Sequence, residues 1–169
     1  MAVHAARPRR PLGIAGPVLG VLIVALLAAA FWIGRDLRDA QAAADDRQAA
    51  MRVAGVHAVN LLSVSYQSVD ADIKRILDTS TGAARAEYAR TAAELKETTV
   101  KEKVVQAGAL RATGLVSLKG TTAQVMVVGD TLIRMDGGKN APQERFYRWN
   151  MEVTKVGGVW LVSKAEVVL

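Results

Sequence analysis

The segment RFYRWNMEVTKVGGVWLV, residues 145–162, carries the clearest signal for secondary structure in this chain. Two runs rich in Val and aromatic residues flank Gly157-Gly158, and glycine supplies the positive backbone angles that a short hairpin loop requires. The period of two predicts antiparallel strands over residues 145–156 and 159–168. The side chains expected on the concave, helix-facing side are Tyr147, Trp149, Met151, Val153, Trp160 and Val162, with Phe146, Arg148, Asn150 and Glu152 pointing outward.

The residues before this hairpin extend the same pattern. Runs at 104–118 and 121–135 are also rich in Val and Thr, and a tight turn around Lys119-Gly120 joins them. A longer loop, 136–142, leads into the hairpin. Upstream of Val100 the apolar period is close to four, which is typical of helices. Helices followed by antiparallel strands predict an α+β domain in which a curved four-stranded sheet wraps about three helices.

Three helical segments precede the sheet. The Ala-rich stretch after Asp36 predicts a helical stalk over 35–52, whose following turns, 53–62, dock on the domain. Ser63 to Ser68 breaks the pattern, and Ser68 or Asp70 can cap a second helix that carries Ile73, Ile76 and Leu77 on one face. Thr81-Gly82 is expected to end it. A third helix is predicted over 83–98, with Ala84, Tyr88, Ala92 and Leu95 on one side.

The amino-terminal part contains an uncharged apolar run over residues 11–34. A bilayer core about 30 Å thick needs roughly 20 helical residues, so this run predicts one membrane-spanning helix. Phe31 and Trp32 suit the interface at its end. Arg7, Arg9 and Arg10 outnumber the basic residues just after the run, which predicts a cytoplasmic tail over 1–10 and an extracytoplasmic domain over 53–169.

A cleaved signal peptide is the alternative to a retained anchor. Small-residue triplets at 28–30 and 40–42 have the form of a cleavage site, and a basic region precedes the apolar run. The apolar run exceeds the usual length of about 7 to 15 residues in such peptides, which favours the anchor. On either interpretation the carboxy-terminal domain is exported.

Composition excludes several kinds of site. The chain has no cysteine and only two histidines, His4 and His57, so a thiolate nucleophile, a histidine triad and a zinc site are not expected. The net charge of +6 does not indicate nucleic-acid binding, because three positive charges lie in the tail and the others alternate with acids. The tail arginines suit anionic lipid headgroups instead. Gly108, Gly114 and Gly129 stand singly in strands, which indicates bulges or close backbone approach rather than a phosphate-binding loop.

A series of short motifs runs through the second part of the chain: Leu62-Ser63-Val64-Ser65-Tyr66, Val69-Asp70-Ala71-Asp72, Thr81-Gly82, Tyr88, Leu95-Lys96, the strand entry at Lys103, and Gly158-Val159-Trp160-Leu161-Val162-Ser163. In their order and spacing these motifs resemble the Mce-associated membrane proteins of actinobacteria. The chain departs from the pattern at residues 164–169, which lack a proline-containing finish, and at Ala83-Ala84, where an aromatic residue often stands.

The resemblance implies a nuclear transport factor 2-like cone, similar in plan to the periplasmic domain of a type IV secretion inner-membrane component. It also implies a non-enzymatic role, without a cofactor, as an accessory or assembly subunit of an Mce-type system that imports lipids across the cell envelope. The implied partners are Mce complex proteins or permease subunits. A secretion-system scaffold of the same architecture is an alternative.

An enzymatic alternative belongs to a different class. Cones of this kind also house ketosteroid-isomerase-type chemistry, for which a carboxylate in an apolar pocket and a tyrosine are needed. Asp70, Asp72, Tyr66 and Tyr88 supply those residue types. The acids fall where a helix begins, however, and there Asp favours the positive end of the helix dipole. We therefore expect capping or solvation from them. The pattern Asp70-Ala71-Asp72 is too short to indicate a metal-bound sugar nucleotide site.

Two features are candidates for binding. The concave face that carries Tyr147, Trp149, Met151, Trp160 and Val162 is expected to form the core, or in part to line a pocket for a lipid or another apolar ligand, or a groove for a partner. In the membrane segment, Gly16 and Gly20 have the small-xxx-small spacing of associating helices, although Pro17 interrupts it.

Overall fold

The structure is a computed structural model that describes residues 15–168, with side chains from residue 18. The chain divides into two compact units, 1–44 and 45–169. The predicted cytoplasmic tail, 1–10, with its arginines, and the first residues of the predicted membrane span, 11–14, lie outside the described residues, as does Leu169.

Three helices are followed by one four-stranded antiparallel sheet, as the sequence predicts. The elements are α1 (Ala15–Leu62), α2 (Val69–Asp78), α3 (Gly82–Lys101), β1 (Val104–Lys119), β2 (Thr122–Met135), β3 (Gln143–Val156) and β4 (Val159–Val167). The strands lie in the sheet in chain order, β1-β2-β3-β4. Within residues 15–168 the expected α+β class is therefore confirmed, with a long apolar first helix, two further helices and a four-stranded antiparallel sheet.

The turns of the sheet use glycine where the backbone requires it. Gly120 has a φ of 56°, and Gly157 and Gly158 have φ values of 58° and 86°, in the left-handed region that glycine enters without steric cost. Register shifts interrupt β1 near Leu110 and Leu115 and the β3–β4 pair at Glu152. Such bulges bend strands and increase their twist, which gives the sheet a concave side.

The first part of α1 carries large apolar side chains that stay exposed. Residues such as Leu22, Leu26 and Phe31 are each more than half exposed. Among the described residues, α1 is one helix long and apolar enough to cross a membrane, and none of its most apolar window is buried. Exposed apolar side chains of this size suit a hydrocarbon environment rather than water. By length and composition, α1 is the candidate membrane anchor in the described part of the chain.

The last part of α1 packs on the concave side of the sheet through small side chains. Ala50, Ala54 and Ala58 are fully buried and Leu62 is nearly so, at the four-residue spacing of one helix face. They belong to one cluster with side chains of β2, β3 and β4, namely Ala123, Val125, Val127, Trp149, Met151, Val153, Trp160 and Val162. This contact begins earlier than the sequence predicts: residues up to 52 were expected to form a free stalk, yet Ala50 is already core. Alanines give a weak hydrophobic signal but allow a helix to lie close to a sheet.

Two strand glycines make room for α1. A Cβ atom on Gly108 would lie 2.3 Å from the Leu62 Cβ, and one on Gly129 would lie 2.8 Å from Leu62 Cδ1. At Gly108 this distance cannot be relieved without moving the helix, and at Gly129 the Ala109 carbonyl oxygen also lies 3.0 Å from the added atom. Close backbone approach, one of the two accounts expected for these glycines, is therefore confirmed at Gly108 and Gly129. Gly114 has open space beside it and lies between the two register shifts of β1.

The junction between α2 and α3 differs from the prediction. The Thr81-Gly82 pair does not end α2, which stops at Asp78. Gly82 instead begins α3, with a φ of 51°. The intervening residues pair with β4, because the Thr81 amide donates to the Val162 carbonyl at 2.8 Å. The positive φ, not a helix stop, is what requires glycine here.

Candidate functional site

An open cleft of about 370 Å³ lies on the concave side of the sheet. Its walls come from α1, α3 and the last two strands, all within residues 45–169. The lining residues are His57, Leu61, Ala83, Ala84, Glu87, Tyr88, Thr91, Trp149, Lys164, Ala165 and Glu166. The cleft exists because α3 buries little of itself: Thr99 is its one buried residue, while Ala84, Tyr88, Ala92 and Leu95 are only partly covered.

The aromatic face of β3 divides between the cleft and the core. Trp149 lines the cleft and is 6% exposed, and Tyr147 stacks on it with ring centroids 5.2 Å apart. Met151, Trp160 and Val162 lie deeper and are buried in the main core. Tyr147 and Trp149 are therefore the two members of the predicted concave face that lie at or beside the open space. The outward side of the same strand carries Phe146, which is exposed.

His57 is a buried wall of the cleft. Its side chain is 2% exposed, and its Nδ1 lies 2.8 Å from the Thr79 hydroxyl. Burial lowers the pKa of His57 to about 4, so the imidazole is neutral at physiological pH. This neutral histidine, bonded to the C-cap residue of α2, is a packing residue in the wall of the cleft.

Tyr88 lies opposite, on α3. Its ring packs against a second small cluster that consists of Val64, Val69 and Ile76. Burial, together with the negative charge of Asp72, raises the pKa of Tyr88 to about 12. The phenol therefore stays protonated at physiological pH.

Asp72 is a structural carboxylate. It is 1% exposed and accepts hydrogen bonds from the Ser65 amide at 2.8 Å and the Ser68 hydroxyl at 2.9 Å, and it also pairs with Arg75. Ser68 stands at the N-cap position of α2 without a side-chain cap bond of its own, so Asp72 satisfies the amide of the preceding turn instead. Asp72 is not among the residues that line the cleft.

Asp70 has a different role, and its side chain is exposed. Both of its carboxylate oxygens accept from Lys96 Nζ, at 2.7 and 2.9 Å, which links α2 to α3. The structure therefore separates the two acids that the sequence places side by side. One holds a turn and the other joins two helices at the surface, and the cleft contains neither.

Charges at the cleft lie at its rim and are paired. Glu87 contacts Arg90 at 3.0 Å, and Lys164 contacts Glu166 at 2.6 Å, with all four side chains more than half exposed. The Glu166 contact raises the pKa of Lys164. Such exposed pairs contribute little to stability, and they give the opening a polar border around an apolar interior.

Tyr66 lies away from the cleft. Its hydroxyl donates to Asp136 at 2.6 Å, which lowers the pKa of Asp136 and ties the loop between β2 and β3 to the α1–α2 connection. The same connection pairs with the start of β1, because the Tyr66 amide donates to the Val104 carbonyl at 2.9 Å. Lys103, with a φ of 48°, forms the sharp entry into that strand.

One polar cluster was not anticipated from the sequence. Asp46 on α1 accepts from Lys155 at 2.6 Å and from the Trp160 indole at 3.2 Å, and the Lys155 ammonium lies 5.8 Å from the Trp160 ring centre. These hydrogen bonds lower the pKa of Asp46. The cluster fixes the β3–β4 hairpin to α1. Asp46 is about 110 residues away in sequence from the other two members. No local pattern could therefore have indicated this cluster.

The predicted helix-association residues lie in the first unit. Gly16 and Gly20 are both within α1, and Gly20 is exposed with nothing near the position of a Cβ atom. This leaves association through Gly16 and Gly20 as a prediction.

These features define a class: a protein whose described residues comprise one amino-terminal helix suited to span a membrane and an α+β domain whose concave sheet bears an apolar cleft. Within this class, residues 13–169 match the family described as "Uncharacterized protein Rv1363c/MT1408-like", and the chain belongs to that family. The protein Rv1363c of Mycobacterium tuberculosis is 31% identical over 111 residues, which are 65% of this chain and 42% of the relative. The chain thus matches less than half the length of that relative.

Solved structures share the fold at low sequence identity. VirB8 of Agrobacterium tumefaciens has a TM-score of 0.59 at 10% identity, covering 73% of this chain and 92% of the other. The periplasmic domain of DotI has a TM-score of 0.57 at 13% identity, covering 70% and 91%. An IcmL-like type IV secretion system protein from Legionella pneumophila has a TM-score of 0.57 at 14% identity, covering 70% and 88%. The expected likeness to periplasmic domains of this type is confirmed at the level of the fold.

Proposed function

We propose that this protein is a non-enzymatic accessory or assembly subunit of an Mce-type lipid import system at the cell envelope. The anchor helix places the amino terminus in the cytoplasm and holds the α+β domain at the outer face of the cell membrane. There the domain acts through contacts with Mce complex proteins or permease subunits. The resemblance to Mce-associated proteins supports the proposal that the protein acts in an Mce-type system. The fold that it shares with type IV secretion components, including the IcmL-like protein, supports a role in a membrane assembly.

The observation that carries the non-enzymatic part is the placement of the carboxylates. Isomerase chemistry in such a cone requires an acid facing an apolar cavity. Asp72 is instead saturated with hydrogen bonds from its own turn, and Asp70 is exposed on Lys96. The acids that do reach the cleft, Glu87 and Glu166, lie at its exposed rim in ion pairs. This arrangement supports a binding surface rather than a proton-transfer site.

The direct test is recovery of partners from the native membrane. The tagged full-length protein is crosslinked in cells, purified in mild detergent and examined by mass spectrometry for proteins and lipids. We expect Mce or permease subunits at levels far above those recovered with an unrelated single-pass protein of the same membrane. Recovery of secretion components, or of no stable protein partner, would contradict the proposal.

The proposed orientation has its own test, which the lack of cysteine makes simple. Ala2→Cys places one thiol in the tail and Glu97→Cys places one on the exposed side of α3. A membrane-impermeant maleimide applied to intact cells stripped of their outer envelope is expected to label the second variant and not the first. The reverse labelling would overturn the orientation.

A second candidate function rests on the cleft itself. Its apolar interior, with Leu61, Tyr88 and Trp149, suits an acyl chain or another apolar ligand. Titration of the full-length protein with a fatty acid and with a sterol should then change the intrinsic tryptophan fluorescence, to which Trp149 contributes, and Ala84→Phe, which fills the cleft without adding a tryptophan, should abolish the change. No difference between the wild-type chain and the filled variant would remove this candidate.

A further inference from the structure

The outward side of the sheet carries an exposed apolar patch that the cleft does not use. Phe146 at its centre is 72% exposed, and Leu132 and Met126 are 45% and 41% exposed. The register places Phe146 beside Asp130, Leu132 beside Glu144, and Met126 beside Asn150. On β1 the neighbouring outward positions are the small residues Ala107, Ala109, Ala112 and Gly114. The patch is therefore an apolar surface with one projecting aromatic ring and with the Arg111–Asp130 ion pair beside that ring.

Charges border this patch in a self-complementary order. Along β3, the outward side chains next to Phe146 are Glu144 on one side and Arg148 on the other, each two residues away. Among the ion pairs of the described residues, neither Glu144 nor Arg148 takes part. Asp130, which does lie on this side, is already held by Arg111, and that contact lowers its pKa.

We infer that this sheet face binds a second copy of the chain. In a two-fold arrangement with the two β3 strands antiparallel, Phe146 meets Phe146 at the axis. Glu144 of each copy then faces Arg148 of the other, so each side chain acquires an ion-pair partner across the interface. Aligned packing of two sheets at about 10 Å is a common geometry for such faces. Attachment to one membrane also raises the effective concentration of the copies, so that a surface of low affinity can still associate.

A pair of charge variants tests the arrangement in the full-length protein. Glu144→Arg gives a copy with Arg at both positions, and Arg148→Glu gives a copy with Glu at both. Each variant alone is expected to self-associate roughly tenfold more weakly, because both contacts become repulsive. Mixed together, the two variants should associate with each other as well as the wild type does. Sedimentation of the detergent-solubilised chains, with one variant fluorescently labelled, measures all three affinities.

Matched controls separate this outcome from general charge effects. Glu97→Arg and Arg90→Glu make the same changes of charge on exposed positions of α3. Neither is expected to alter self-association, alone or mixed. Self-association that survives in both single variants, or a mixture no tighter than either variant alone, would overturn the proposal. A monomeric wild-type chain at membrane-like concentrations would do so as well.

Single cysteines give the register independently. Phe146→Cys should crosslink to itself in membranes with a bismaleimide of short span, since the two positions meet at the axis. Glu144→Cys should not crosslink to itself, because its two copies are offset by roughly 13 Å along the strands. It should crosslink to a co-expressed Arg148→Cys chain. A Phe146→Cys adduct with a different protein, or equal self-crosslinking of Glu144→Cys, would assign the face to another occupant.

Discussion

The end of α1 and the whole of α3 both lie over the concave side of the sheet and both are rich in alanine, yet they pack differently. The alanines of α1 at positions 50, 54 and 58 are fully buried, and glycines on the facing strands let Leu62 approach. On α3, Ala84 and Ala92 are only partly covered, and a cleft remains. The composition of a helix alone therefore does not determine whether the space between that helix and the sheet is filled. The residues across from the helix do.

The largest expected effect comes from blocking the close approach of α1. Gly108→Val places a Cβ atom within 2.3 Å of Leu62, so we expect a loss of about 3 kcal/mol or more in the free energy of unfolding. Gly114→Val on the same strand has open space and should change it by less than about 1 kcal/mol. Urea unfolding of the full-length chain in detergent measures both. Equal effects of the two variants would mean that α1 does not lie as close as described.

Acid is expected to lower the free energy of unfolding by a similar amount through His57, which lies on α1 in the wall of the cleft. Its folded pKa is about 4 and its unfolded value is 6.5, so the unfolded chain binds the proton more readily. The stability due to neutral His57 is present above pH 6.5 and is lost as the pH falls toward 4, by about 3 kcal/mol in total.

The matched variant His57→Gln isolates this contribution from that of the carboxylates. Unfolding free energies of the wild-type chain and the variant are compared at several pH values from 7 to 4. The wild type should lose more stability than His57→Gln over this interval. Parallel curves would show that the imidazole is not buried in the neutral form.

Enlarging one alanine on each helix tests the comparison directly. Ala54→Leu adds volume to the filled core and is expected to cost about 2 kcal/mol. Ala84→Leu extends into the cleft, where there is space, and is expected to change stability by less than about 0.5 kcal/mol in either direction. Thermal unfolding of the two variants side by side gives the difference. A larger cost at position 84 would reverse our account of the two helices.

The smallest expected effect concerns the surface link that holds α3 to α2. Asp70→Asn removes an exposed contact with Lys96 and should cost no more than about 0.5 kcal/mol. Asp72→Asn, two residues away and buried, should cost about 2 kcal/mol, because it weakens the bonds to Ser65 and Arg75. Chemical denaturation of both variants distinguishes them. The order of the two costs, rather than either value, is the test.

Most of the fold could be predicted because its signals are local. The alternation of residues 145–162 and the glycines at 120, 157 and 158 fix strands and turns through contacts a few residues apart. The start of packing on α1 could not be predicted in the same way. Alanine carries little hydrophobic signal, and its burial here depends on side chains of β2, β3 and β4, which lie many residues later in the chain.

For the candidate site, the sequence predicted which residue types are present better than it predicted how they are arranged. Tyr147 and Trp149 were expected on the concave face, but their sequence does not show that Met151 and Trp160 are core while Trp149 borders open space. His57 was expected to pack, and it does, although its place in the wall of the cleft depends on α3. The Asp46, Lys155 and Trp160 cluster had no local signal at all.

The apolar anchor helix, the order of helices and strands, and the lack of cysteine follow from the amino-acid sequence alone, because hydrophobic length, periodicity and composition act within short windows. Tertiary packing sets which alanines are buried, where the cleft remains, and which elements Asp70 and Asp72 hold together. Those outcomes depend on which residues distant in the chain meet across the sheet, and on the volume left between them.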